Sequence, residues 1–133
     1  MQKLKLKPNS LCVVYYLLKN YDLQAAIADF EAWLLWIEQY RGTKWNGPPD
    51  YYLTEYGMPA WGSNHGITEA ELLACMHDFT KYLMIDFDLP GINLEGWAWW
   101  AGSPYLELVS RYTGQITALG KTYQNLAANR WGY

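Results

Sequence analysis

Tyr51-Tyr52-Leu53-Thr54-Glu55-Tyr56-Gly57 places one carboxylate at the end of an aromatic, β-branched run and follows it at once with glycine. A charge at the end of a buried strand is costly unless something nearby uses it. The surroundings of Glu55 therefore decide how the whole chain reads. Upstream, residues 11–18 form the continuous apolar run LCVVYYLL, which predicts a strand buried on both faces. Between the two strands, Leu23, Ala26, Ile27, Phe30, Trp33, Leu34 and Ile37 make a helical stripe over about residues 22–40. Gly42 stops that helix as a C-terminal glycine, and Trp45-Asn46-Gly47-Pro48-Pro49-Asp50 is a loop by composition.

Downstream of Glu55, residues 57–66 read as a loop containing Pro59, Trp61, Asn64 and His65. A second helix starts at Thr68, where Glu71 three residues on gives a capping-box spacing. It runs to about residue 85 with Leu72, Met76, Phe79 and Leu83 as its buried stripe. Asp88 to Gly91 turns the chain into a third strand over residues 93–100, and a last helix is predicted over residues 113–128. Strands alternating with helices imply an α/β fold with a parallel sheet and right-handed crossovers. Functional residues of such units gather at the carboxyl ends of strands and in the loops that follow. Glu55, Trp61, His65 and Trp100 fall there. Asp50 and Asp88 lie at the opposite end and read as structural.

Composition narrows the classes of function. The 133 residues suffice for one domain, and 8 Trp with 12 Tyr exclude disorder and favour ring-lined clefts or a large packed interior. The net charge of −3 is spread along the chain with no basic stripe, which argues against nucleic acid as a partner. Cys12 and Cys75 sit in apolar contexts and read as buried free thiols. No CxxC, HExxH or calcium-loop spacing is present, so no metal is expected, and Asp86-Phe87-Asp88 reads as a solvated turn. MQKLKLK followed by LCVVYYLL imitates a signal peptide with Ala26-Ile27-Ala28 as a cleavage site. The helical stripe runs through that site and is the stronger signal. No run is long enough to span a membrane. Lys3, Lys5 and Lys7 alternate with Leu4 and Leu6, a pattern that could pair as an edge strand but reads more simply as a frayed tail, and His77 falls on the polar face of the second helix.

Glu55 is the leading candidate for chemistry, an ion pair or a strand-end hydrogen bond being the bland alternative. Tyr52, Tyr56, Trp61 and the later tryptophans are placed to wall a sugar-sized cleft. A carboxylate among aromatic rings suits glycosidic chemistry: it attacks or stabilises an oxocarbenium-like centre while the rings pack on sugar C–H faces. His65 either touches substrate from its loop or is simply solvated.

The segment PDYYLTEYG, followed about forty residues later by LEGWAWWAG, resembles strands seven and eight of glycoside hydrolase clan A. The closing TGQITALGKTYQNLA is similar to the final helix of those barrels, where the phrase G-x-x-T-x-L-G-x-x-Y is common. The resemblance places the nucleophile of a retaining mechanism on Glu55. The clan's G-W-x-x-W matches Gly96, Trp97 and Trp100, making Trp100 the sugar platform, with Trp61 as a further stacking surface. Strand six of the clan often ends in H-x-Y; here it is Val14-Tyr15-Tyr16, so Tyr16 is carried over as the nucleophile's hydrogen-bond partner while the histidine is replaced by valine. Within the clan the strand is most similar to the W-x-T-E-F/Y-G of Asl-type, β-1,3-glucan-cleaving hydrolases.

The resemblance covers nearly the whole chain but only three of eight βα units, and a full barrel needs ~250 residues. It implies a partial (β/α)8 TIM barrel, residues 1–133 forming a C-terminal portion with units six to eight. It implies a polysaccharide or oligosaccharide substrate, no cofactor, and a parent group that is often extracellular. The Asn-Glu that carries the clan's acid/base is absent from the sequence, and a retaining pair must sit roughly 5 Å apart. Glu95 precedes the carboxyl end of its strand and reads as structural. Two open parallel edges raise a rival expectation: a non-catalytic sugar-binding or self-associating protein. A phosphate-binding α/β module is disfavoured because no strand is followed by a glycine-rich loop.

Overall fold

A computed structural model of the chain describes residues 10–17, 22–42, 50–58, 67–101 and 106–131. Residues 3–7, the loop 45–49, Trp61, His65 and residues 102–104 lie outside these. The order is β1 (Ser10–Tyr16), α1 (Leu23–Gly42), β2 (Asp50–Gly57), α2 (Glu69–Lys81), β3 (Asn93–Trp99) and α3 (Ala118–Trp131). The strands form one parallel sheet in the order β1-β2-β3. This is an α/β arrangement of three successive strand–helix units.

Local signals explain the helices. Asp22 caps α1, its Oδ1 accepting from the Ala25 amide at 2.7 Å. The helix carries the expected stripe inward, with Phe30 and Leu34 fully buried, and it passes unbroken through Ala26-Ile27-Ala28. It takes in Gly42 as its last residue rather than stopping before it. Thr68 and Glu71 form the reciprocal capping box on α2: the Glu71 amide donates to Thr68 Oγ1 at 3.2 Å, and the Thr68 amide to Glu71 Oε2 at 2.7 Å. After Lys81 the helix widens into a π turn, Tyr82–Asp86, closed by the Phe87 amide on the Tyr82 carbonyl at 2.8 Å. The wide turn buries Tyr82, Leu83 and Met84 in succession, which a regular helical stripe does not do. A tight turn then leads into β3, with the Ile92 amide on the Leu89 carbonyl at 3.0 Å. Pro90 and Gly91 occupy its centre, and Gly91 has φ +80°, the geometry that makes glycine the fitting residue.

The last helix begins five residues later than the sequence suggests, at Ala118 rather than Thr113. Before it, Val109 and Ile116 make an antiparallel bridge around a turn in which Gly114 has φ +69°. Thr117 is the true cap, its Oγ1 accepting from the Gly120 amide at 3.0 Å. A Cβ on Gly120 would lie 2.0 Å from the Leu108 carbonyl oxygen, so the helix can meet the hairpin this closely only with glycine there. Each spaced letter of the closing phrase thus has a local role, in which Gly114 turns, Thr117 caps, Leu119 fills the core and Gly120 permits contact. Tyr123, the last of them, accepts a hydrogen bond from the Trp97 indole.

One face of the sheet is covered and the other is open. Val13, Leu17, Tyr51, Leu53, Tyr56 and Trp99 share a core with Phe30 and Leu34 of α1, Cys75, Met76 and Phe79 of α2, and Leu119 of α3. On the opposite face Cys12, Thr54 and Ala98 are exposed, Val14 is 43% exposed and Tyr52 40%. The expectation that β1 is buried on both faces is therefore corrected. So is the burial of Cys12, whereas Cys75 is fully buried and burial raises its thiol to about 12. The reason is that the described helices contribute their apolar stripes to a single face.

Candidate active site

The carboxyl ends of the strands are tied together beyond the regular ladder. The Leu17 amide donates to the Gly57 carbonyl at 2.8 Å, and the Trp100 amide to the Tyr56 carbonyl at 2.9 Å. These bonds hold Tyr16, Glu55 and Trp100 on three neighbouring chain segments of fixed register. On the open face the Tyr16 hydroxyl donates to Glu55 Oε2. The Tyr16 ring meets Trp100 edge-on, with centroids 5.7 Å apart and planes at 84°. Burial of the ring first, then the hydrogen bond to Glu55 and its charge, push the Tyr16 phenol up to about 12. At neutral pH Tyr16 therefore keeps the proton that it donates.

Glu55 reaches this face through an irregularity in β2. Val13 pairs with Leu53, but the next residue, Val14, pairs with Glu55, so Thr54 is an extra residue against β1. The same stretch is long against β3, where Leu53 pairs with Trp97 and Tyr56 with Trp99. Strands alternate their faces, so a one-residue shift exchanges inside for outside. Tyr51 and Leu53 point into the core, and after the bulge it is Tyr56, not Glu55, that resumes the inward series. The Thr54 hydroxyl donates to the Val13 carbonyl at 3.2 Å across this bulge.

Three of the five residues that the sequence nominates, Tyr16, Glu55 and Trp100, meet here. Trp61 and His65 lie outside the described residues. Tyr52 is also on the open face, its ring close enough to β3 that a Cβ on Gly96 would lie 3.2 Å from Tyr52 Cδ1. Tyr56 does not wall the cleft: it is fully buried on the other face, its hydroxyl 2.6 Å from Thr80 Oγ1. Trp97 and Trp99 also turn to the covered side, with Trp99 Nε1 donating to the Leu106 carbonyl at 2.9 Å. Thr54 is the residue that sequence reasoning passed over, because a bulge leaves no mark in hydropathy.

The opposite end of the sheet carries its own polar group. Asn93 Nδ2 donates to Asp50 Oδ1 at 2.8 Å and also to Glu95 Oε1. Glu95 sits at the register shift between Tyr51–Leu94 and Tyr52–Gly96, as an extra residue of β3. Its carboxylate serves the leading ends of β2 and β3. Among the described residues no group of three or more His, Cys, Asp or Glu is arranged to hold a metal ion. No described helix is long and apolar enough to cross a membrane. His77 lies on the exposed side of α2 with Nδ1 2.9 Å from Asp78 Oδ1.

Comparison with known proteins returned no matching family profile, no similar curated protein and no similar solved structure.

Proposed function

We propose that this chain supplies the nucleophile side of a retaining glycoside hydrolase site, on units corresponding to the sixth, seventh and eighth of a (β/α)8 barrel, acting on a β-linked polysaccharide. The supporting observation is the meeting of Tyr16, Glu55 and Trp100 at the carboxyl ends of three adjacent parallel strands. Tyr16 holds Oε2 of Glu55, which leaves Oε1 to attack the anomeric carbon while the bond to the leaving oxygen breaks. A glycosyl ester forms on Glu55 with inversion, and water releases it with a second inversion. Trp100 offers the sugar a ring face. The acid that protonates the leaving oxygen must come from outside the residues named here, since no Asn-Glu occurs in the sequence.

That asymmetry suggests the test. A dinitrophenyl β-glucoside has a leaving group that departs without a proton, so it needs the nucleophile alone. Incubation should release about one equivalent of dinitrophenolate and leave one glucosyl group on the peptide containing Glu55, read by mass spectrometry. Glu55→Gln should form no adduct. Absence of an adduct on the unaltered chain refutes the reading.

The open sheet face favours a second reading, a non-catalytic carbohydrate-binding or self-associating protein. Val14 and Tyr52 are 43% and 40% exposed on a parallel sheet, a kind of sheet that ordinarily has both faces covered. Binding of β-glucan or dimerisation on sizing, with neither adduct nor reducing sugar released, supports this alternative.

A further inference from the structure

We propose that Thr54 is the positioning residue for Glu55: its hydroxyl, donated to the Val13 carbonyl, holds the bulge that turns Glu55 from the covered face of the sheet to the open face beside Tyr16. Its role in glycosyl transfer rests on the reading given above; its role in the geometry does not.

Parity makes the case. Tyr51 and Leu53 point inward and are fully buried. Under strict alternation the next inward position is Glu55, among the Phe30, Phe79 and Tyr15 rings that pack behind the sheet. An ionised carboxylate there, without a cation, is the costly arrangement that folded proteins avoid. The extra residue reverses the outcome twice. Glu55 pairs with Val14, whose side chain is on the open face, and Tyr56 takes the inward place against Thr80.

A bulge interrupts the ladder and needs another donor to hold the bent strand. Thr54 fits because it combines a hydroxyl with a β-branched side chain that favours strand geometry. Serine keeps the donor, whereas valine keeps the branched shape and loses the donor. The pair therefore separates hydrogen bonding from shape.

The experiment follows the Tyr16 phenol by its 13Cζ resonance in tyrosine-labelled protein, assigned with Tyr16→Phe. In the unaltered chain the midpoint is expected near 12. In Thr54→Val it should fall part of the way toward about 10, the ordinary phenol value, because the Glu55 carboxylate leaves and the ring's burial remains. Thr54→Ser should keep the parent midpoint. A Thr54→Val midpoint equal to the parent's, or a Thr54→Ser midpoint as low as that of Thr54→Val, overturns the proposal. If Thr54→Val does not fold, Thr54→Ala read against Thr54→Ser makes the same comparison. The titration needs no turnover. A Thr54-dependent midpoint in a chain that forms no glucosyl adduct would refute the glycosidase reading and leave the positioning role standing.

Discussion

Tyr15 and Tyr16 are neighbours in one strand, and each gives its hydroxyl to a carboxylate, yet they belong to different parts of the molecule. Tyr15 points to the covered face, where its hydroxyl donates to Asp29 Oδ2 of α1 at 2.7 Å. Its ring packs against Phe30, Phe79 and Trp33 at centroid distances of 5.0, 5.8 and 6.1 Å. Tyr16 points to the open face, pairs with Glu55 and is 37% exposed. The covered side repeats the Tyr15 pattern: Tyr51 of β2 donates to Glu38 at 2.6 Å and Tyr82 of the π turn to Glu31 at 2.7 Å, both carboxylates on α1. A tyrosine–carboxylate bond is thus no mark of a site. On the covered side it fastens α1 to the sheet or to the π turn; on the other face it holds a carboxylate at the end of parallel strands.

That contrast is open to attack in order of size. Tyr15→Ala should destabilise by about 3 kcal/mol, since it empties a packed ring site. Tyr16→Ala, with its ring part-exposed, should cost about 1 kcal/mol. Chemical denaturation of the two variants measures the gap, and equal losses would erase the distinction between the faces. Next comes Tyr56→Phe, which removes one half of the buried pair with Thr80 and should cost roughly 1–2 kcal/mol in the same measurement. Smaller again, Tyr15→Phe should lose about 1 kcal/mol with its bond to Asp29. Tyr16→Phe should change stability by no more than about 0.5 kcal/mol while slowing formation of the Glu55 adduct, read as the rate of dinitrophenolate release. A Tyr16→Phe variant with unchanged rate would remove Tyr16 from the proposed chemistry.

The last test of the contrast is one of pH. The Tyr16 phenol is raised in the folded chain, so its contribution is fully present below the unfolded value of about 10 and is lost as pH rises through about 12. Tyr15 is shifted in the same direction by burial first and then by Asp29. Denaturation midpoints measured across that window should fall with rising pH. In Tyr16→Phe the fall should be shallower but still present, because Tyr15 remains.

Much of this architecture is legible residue by residue. Thr68 and Glu71 mark the start of α2, the stripe from Leu23 to Ile37 marks the buried side of α1, and Pro90-Gly91 marks the turn into β3. That Glu55 and Trp100 lie close together is also anticipated, because successive parallel strands bring their carboxyl ends together, whereas Tyr16 beside them is expected only from the resemblance. The reading of Thr113 as a helix start failed for a local reason. Gly114 and the Val109–Ile116 bridge hold that segment as a hairpin, and Thr117 does the capping.

Caps, turns and stripes depend on residues a few places apart, so the amino-acid order already contains them. Which face Glu55 occupies is of another kind. The letters YYLTEYG are compatible with the carboxylate on either side, and the choice rests on how β2 is paired with β1 and β3. Skipping Thr54 in that pairing sends Tyr56 inward and Glu55 outward. Cys12 is exposed for a similar reason, since the helix stripes gather on one face although the strand is apolar on both. Alternation along a strand defines two faces, and only contact with other strands and helices says which of them becomes the interior.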